Sequence, residues 1–321
     1  MFKIVLLYGA LAATIPLAKA TLLYVTPFLC IGVRMILGGL LLLGMHRLNG
    51  GRVTVARKHW SLFGLIALFH IFLSFTAEFW ALQYVSSVKD ALFFNLSPFI
   101  TALLALLFLG EKITFLQVCG MTVATAGIIP MVLADSGSEQ VLGWNGFVSL
   151  PEIALFIAVV SACYGWILVS KAHNTHGYPV FLINGICMFM GGVGSFVLSL
   201  IVDGVPIIRC PDMGSIALFD RWCIGSFGCL WGSLLVFLCY IVLQILFANI
   251  IYFNLYAALL RTYSVTLLSL CGFMTPILAG LIGWLLFGEQ IPSGFMLATI
   301  SITVGLYLFD YPSRRKTKNN S

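Results

Sequence analysis

Residues 179–202 carry no charged side chain, and neither do residues 230–259. Runs this long and this apolar cannot face water, and about 20 helical residues cross the ~30 Å hydrocarbon layer of a bilayer. Charged residues make up only 9% of the 321-residue chain, against about 25% in a soluble domain. The chain is therefore read as an all-α integral membrane protein. The apolar pattern predicts ten spanning helices, at about 3–23, 26–44, 60–82, 88–109, 115–134, 152–171, 179–202, 230–259, 264–287 and 293–310. Lys3 with the apolar stretch up to Ala18-Lys19-Ala20 imitates a cleavable signal peptide. Its removal would leave the first half one helix short, so it is read as a retained first span. A short interfacial helix is expected around Ile216–Phe219.

The chain repeats itself. Ser97-Pro98 is followed by Gly110-Glu111, and Thr275-Pro276 by Gly288-Glu289, at the same spacing. The register also matches Leu103 with Leu281, Leu107 with Leu285, Ile113 with Ile291, Thr125 with Thr303 and Gly127 with Gly305. Each half holds an odd number of spans, so the second half enters the membrane inverted, as in many transporters. The expected division is a first five-helix repeat at 1–134, an outer linker at 135–151, a second repeat at 152–310 and a basic tail at 311–321.

Basic residues set the orientation. With the N-terminus inside, Lys3, Arg47, Arg52, Arg57, Lys58, Lys112, Lys171, Arg261, Arg314, Arg315, Lys316 and Lys318 all fall on the cytoplasmic side. Both termini are then cytoplasmic. The net charge of +6 is spread over short loops and the tail, so nucleic acid is not implied. None of the nine cysteines forms a C-x-x-C pair or a Cys/His metal spacing. Cys210 and Cys223 share one outer loop, which leaves a disulfide between them open.

Gly110-Glu111 and Gly288-Glu289 fall on opposite faces of the membrane, which suits helix-ending turns better than a ligand site. The prolines are different. Pro98 and Pro276 are expected near the middles of spans 4 and 9, where each frees the carbonyl four residues earlier, on Phe94 and Gly272. Matched interruptions of this kind point to a transport site, and packing kinks are the plainer alternative. Ser97 and Thr275 go with them as residues that shape a cavity.

Ionisable groups at membrane depth default to functional readings. Glu78 lies on one face of span 3 with His70 and Ser74. It is either a ligand for a cationic substrate, a proton-coupling group or the partner of Lys19, with Asp90 near by. Arg34 sits in the middle of span 2, and Asn95 is the strongly polar side chain in the middle of span 4. In span 8, Asn249, Tyr252 and Tyr256 fall within a 60° arc at 100° per residue, a face suited to hydrogen bonding and stacking a flat ligand. The expected substrate-binding set is Glu78, Asn95, Asn249, Tyr252, Tyr256 and Arg34. No H-E-x-x-H, G-x-S-x-G or Walker loop occurs, so an enzyme, a catalytic residue, a metal and a cofactor are not expected.

With these residues in view, the chain resembles the ten-helix EamA-like transporters of the drug/metabolite transporter superfamily over nearly its whole length. The resemblance rests on the paired P-x11-G-E segments, Arg34, Tyr8-Gly9 with Lys19, and Ala162-Cys-Tyr164 with Lys171. The first aromatic positions are often Trp in that family, and Tyr stands here. The resemblance implies a central cavity lined by spans 1, 3, 4, 6, 8 and 9, in an integral multi-pass protein of a bacterial inner membrane. It also implies a small-molecule substrate, with the lipid bilayer as the other partner. Acidic groups among aromatics suit a cation bearing a flat ring. S-adenosylmethionine, exchanged for S-adenosylhomocysteine, is the substrate expectation, and a proton-coupled amino-acid or drug exporter is the alternative.

Overall fold

The computed structural model describes residues 2–84, 93–94, 96–110, 113–135, 150–204, 218–275, 277–278, 296–297, 299–305 and 307–309. Among these residues all regular structure is helical. The helices are α1 (Phe2–Thr21), α2 (Pro27–Leu48), α3 (Arg57–Ala81), α4 (Ser97–Leu109), α5 (Phe115–Asp135), α6 (Leu150–Thr175), α7 (Val180–Val202), α8 (Leu218–Phe227), α9 (Cys229–Leu259), α10 (Val265–Cys271) and α11 (Thr299–Phe309). Five of them, α2, α3, α6, α7 and α9, are long and apolar enough to cross a membrane. They match the second, third, sixth, seventh and eighth predicted spans to within a few residues. A short helix, α8, begins at Leu218, close to the C-terminal end of the stretch where one was expected.

Local sequence sets the helix ends. Pro27 occupies the first turn of α2, where its missing N–H costs nothing. Ser264 caps α10 by accepting the Leu267 amide at 3.2 Å. Gly110 ends α4 in the left-handed region at φ 68°, a conformation that glycine adopts without a Cβ penalty.

The tightest packing joins α2 to α7, and it runs on glycine. A Cβ on Gly39 would meet the Phe189 backbone nitrogen at 2.6 Å and the Gly185 carbonyl at 2.8 Å. A Cβ on Gly192 would meet the Ile36 nitrogen at 2.7 Å. Small residues let helices approach in lipid, where no hydrophobic force drives them together. Gly120 and Gly305 do the same between α5 and α11: a Cβ on either would meet the other's carbonyl at 2.6 or 2.5 Å.

Thr125 and Thr303 each donate a hydroxyl to the carbonyl four residues back, Met121 at 2.9 Å and Thr299 at 2.7 Å. Helices α4 and α10 pack on each other, and Thr101 Oγ1 donates to Ser269 Oγ at 3.3 Å.

Three helices widen into π turns, at Ala67–Leu73, Lys171–Thr175 and Ile245–Tyr252. Such bulges displace carbonyls from the regular ladder. In α9 the Asn254 side chain repairs the damage. Its Nδ2 donates to the carbonyls of Asn249 at 3.0 Å and Ile250 at 2.9 Å, while its Oδ1 accepts from Asn184 on α7 at 3.0 Å.

Two expectations are corrected. Pro98 lies in the first turn of α4, so it ends no ladder there. The Phe94 carbonyl that it was expected to strand accepts the Ser97 hydroxyl. The Gly272 carbonyl likewise accepts the Thr275 amide at 2.9 Å; Pro276 lies outside the described residues. The hydrogen-bonding residue beside each proline therefore closes the break locally. Cys223 is a free, buried thiol, and Cys229 is the disulfide-bonded residue of this region, so Cys210 and Cys223 do not pair.

Candidate functional site

An aromatic cluster occupies the centre of the bundle, where α1, α3, α6 and α9 converge. Trp166 from α6 stacks on Tyr256 from α9, with centroids 3.8 Å apart and planes 25° apart. Tyr252 stands edge-on to Trp166 at 6.1 Å, and Tyr8 edge-on to Tyr252 at 6.4 Å. His70 and Phe253 close the far side, 4.3 Å and 5.5 Å from the Trp166 ring. Edge-to-face contacts at these distances hold rings in fixed directions. Tyr8 is further locked by donating its hydroxyl to the Leu268 carbonyl of α10. That carbonyl is four residues before Gly272, so the first residue of the aromatic wall is tied to the α10 segment that leads into the break.

The π turn in α3 places His70 against α6. Gly165 allows this, since a Cβ there would strike the His70 ring and backbone. One turn along the same helix, Ser74 is buried, and beyond it Glu78 lies within electrostatic range of both Tyr252 and Arg34. The same helix carries Phe75 and Phe79, which face a second polar group.

That second group is built on Arg34, which is 4% exposed. Its Nη1 donates to Gln244 Oε1 at 2.9 Å. Phe75 and Phe79 lie 5.1 Å and 5.8 Å from the guanidinium carbon, a cation–π geometry. Its Nε is buried without a hydrogen-bond partner. Gln244 passes the chain on, donating to Thr21 Oγ1 at 2.5 Å and to the Leu17 carbonyl at 3.3 Å. The amide therefore ties α9 to α2 and to the end of α1.

The expected residues are distributed as follows. Tyr252 and Tyr256 join the aromatic cluster, with rings 5.8 Å apart. Asn249 does not accompany them. Its Nδ2 points to the sulfurs of Met35 at 3.4 Å and Met188 at 3.3 Å, between α2 and α7. The 100° arc fails here because residues 245–252 advance with a wider turn. Asn249 Oδ1 and Thr275 Oγ1 are buried without partners. Asn95, Asp90 and Pro276 lie outside the described residues, and Lys19 is described by its backbone alone. Trp166 and Gln244 complete the site without having been singled out for it. Gln244 was visible as a polar residue in the eighth span; Trp166 gave no signal beyond lying next to Ala162-Cys-Tyr164.

Residues 2–133 match the EamA-like transporter family. The chain is 28% identical over 306 residues to the S-adenosylmethionine/S-adenosylhomocysteine transporter of Chlamydia trachomatis serovar L2, covering 95% of this chain and 87% of that protein. It is 27% identical over 306 residues to the protein of the same name from Chlamydia muridarum, covering 95% and 89%. An uncharacterized transporter of Buchnera aphidicola is 23% identical, over 74% of this chain and 77% of its own. A crystal structure shares the fold at a TM-score of 0.69 and 18% identity, over 98% of this chain and 96% of that one. The family that the sequence resembles is the one whose model matches residues 2–133.

Proposed function

We propose that this member of the EamA-like transporter family is a secondary transporter that exchanges S-adenosylmethionine for S-adenosylhomocysteine. The observation that carries the reading is the Trp166–Tyr256 stack walled by Tyr8 and Tyr252, with Glu78 in electrostatic range of Tyr252. Parallel and edge-on rings suit a flat heterocycle, and aromatic faces beside a carboxylate suit a sulfonium cation. Two similar chlamydial proteins bear the name of that substrate pair.

The architecture proposed for this activity is ten spanning helices in two inverted halves, 1–134 and 152–310, joined by an outer linker. Both termini face the cytoplasm of a bacterial inner membrane, and residues 311–321 form a basic cytoplasmic tail. The halves exchange inward-open and outward-open shapes about the aromatic cluster. Substrate contact is assigned to Tyr252, Tyr256, Glu78 and Arg34, with Asn95 as a further member. Ser97, Pro98, Thr275 and Pro276 shape the breaks, and Lys19, Glu78 and Asp90 form the candidate coupling group.

The test is uptake of labelled S-adenosylmethionine into proteoliposomes loaded with unlabelled S-adenosylhomocysteine. Saturable counterflow is expected. No S-adenosylmethionine counterflow, together with transport of amino acids, would refute the substrate.

A further inference from the structure

We infer that Arg34 and Gln244 form a carboxylate subsite, which makes the protein selective for nucleosides that carry an intact α-amino-acid group. The inference rests on the substrate reading above and adds to it the part of the ligand that decides entry.

The argument starts from an unfinished guanidinium. Arg34 is only 4% exposed, yet its Nε has no partner. A buried cation with an open donor is costly in lipid unless an anion or carbonyl completes it. The remaining surroundings are fixed. Gln244 holds Nη1 at 2.9 Å, and two phenyl rings pack near the guanidinium carbon. Gln244 cannot swing away easily, because its own amide is committed to Thr21 and Leu17. The guanidinium is thus held in place with its Nε edge unfilled. That edge of an arginine takes a carboxylate in two parallel hydrogen bonds, a fit that ammonium groups lack.

Position supplies the second half of the argument. Phe75 of α3 lies 5.1 Å from the Arg34 guanidinium carbon and 6.1 Å from the Phe253 ring of the aromatic cluster, so guanidinium and cluster are neighbours. S-adenosylmethionine has a purine at one end and, beyond its sulfonium, an α-amino acid whose carboxylate lies at the other. A purine on the cluster brings the substrate carboxylate towards Arg34 Nε. S-adenosylhomocysteine keeps the purine and the carboxylate, so both exchange partners satisfy the same two ends.

The test is competition against labelled S-adenosylmethionine counterflow by the full-length protein in proteoliposomes. The competitors are S-adenosylmethionine, its decarboxylated analogue and 5′-methylthioadenosine. Both competitors that lack the carboxylate should inhibit at least tenfold more weakly than S-adenosylmethionine. In Arg34→Gln the gap should shrink to within about twofold, while Trp166→Ala should weaken S-adenosylmethionine and its decarboxylated analogue alike and keep their ratio. Equal competition by the decarboxylated analogue in the unaltered protein overturns the subsite even if no variant folds, and leaves the substrate reading standing. Absence of S-adenosylmethionine counterflow in the unaltered protein overturns both.

Discussion

The indole of Trp166 lies over the phenol ring of Tyr256, with centroids 3.8 Å apart and planes 25° apart. The two residues come from helices far apart in sequence, so the stack is a tertiary feature of the bundle centre. Base–aromatic stacking is worth about 1–3 kcal/mol per base. Trp166→Ala should therefore raise the half-saturating concentration of S-adenosylmethionine about fivefold or more in counterflow. Trp166→Phe should raise it less. An alanine variant with unchanged affinity and normal folding would remove the cluster from the substrate path.

The α2–α7 contact makes a paired stability prediction. Gly39→Ala drives a methyl into the backbone of Phe189 and Gly185, and neither can shift without moving α7. Overpacking of this kind costs about 1–3 kcal/mol. Gly44 lies on the same helix, and a methyl group there would meet nothing within 4 Å, so Gly44→Ala should be neutral or slightly stabilising through helix propensity. Thermal unfolding in detergent would check the pair. Equal midpoints for the two variants would contradict the close approach.

The apolar runs were readable because they are one-dimensional: an uncharged stretch such as 179–202 reports its own environment. The site was readable only in part. Tyr252 and Tyr256 stay close because they are one turn apart where the wide turn ends, whereas Asn249, at its centre, is rotated towards Met35 and Met188. A 100° wheel cannot foresee a π turn, since the turn depends on Asn254 and Asn184 meeting across two helices. The partnering of Arg34 with Gln244 was equally hidden, since it joins residues 210 positions apart. The prolines misled for a local reason. Ser97 and Thr275 supply the hydrogen bonds that the carbonyls of Phe94 and Gly272 were expected to lack.

A second polar cluster lies away from the proposed site. Asp220 on α8 is buried and accepts from Tyr24 at 2.8 Å, and from Tyr240 at 2.8 and 3.0 Å. It clamps the turn between α1 and α2 onto α9. Burial, together with the hydrogen bond to Asp220, holds the Tyr24 phenol well above its ordinary pKa, so it remains a donor throughout the physiological range. A hydrogen bond to a charged group contributes about 1.5–3 kcal/mol. Tyr24→Phe and Tyr240→Phe should each lower the unfolding midpoint. In the double variant the losses should be non-additive, because both phenols serve one carboxylate. Strict additivity in a double-mutant cycle would show that the two hydroxyls act independently.

Glu78 gives the sharpest separation between the two substrate readings, because the exchange partners differ in charge. S-adenosylmethionine carries a sulfonium where S-adenosylhomocysteine has a neutral thioether. A unit-charge pair about 4 Å apart is worth about 4 kcal/mol at an effective dielectric constant of 20, and desolvation takes back part of it. Glu78→Gln keeps the shape and removes the charge. It should weaken S-adenosylmethionine binding roughly tenfold or more and change S-adenosylhomocysteine binding by less than about threefold, read as the two inhibition constants in one counterflow assay. If Glu78 instead carried a coupling proton for an exporter, Glu78→Gln would abolish accumulation driven by a pH gradient. Counterflow of both ligands would then be unaltered. Equal weakening of the two ligands would contradict a sulfonium contact and leave Glu78 with a role common to both, such as holding Arg34 in place.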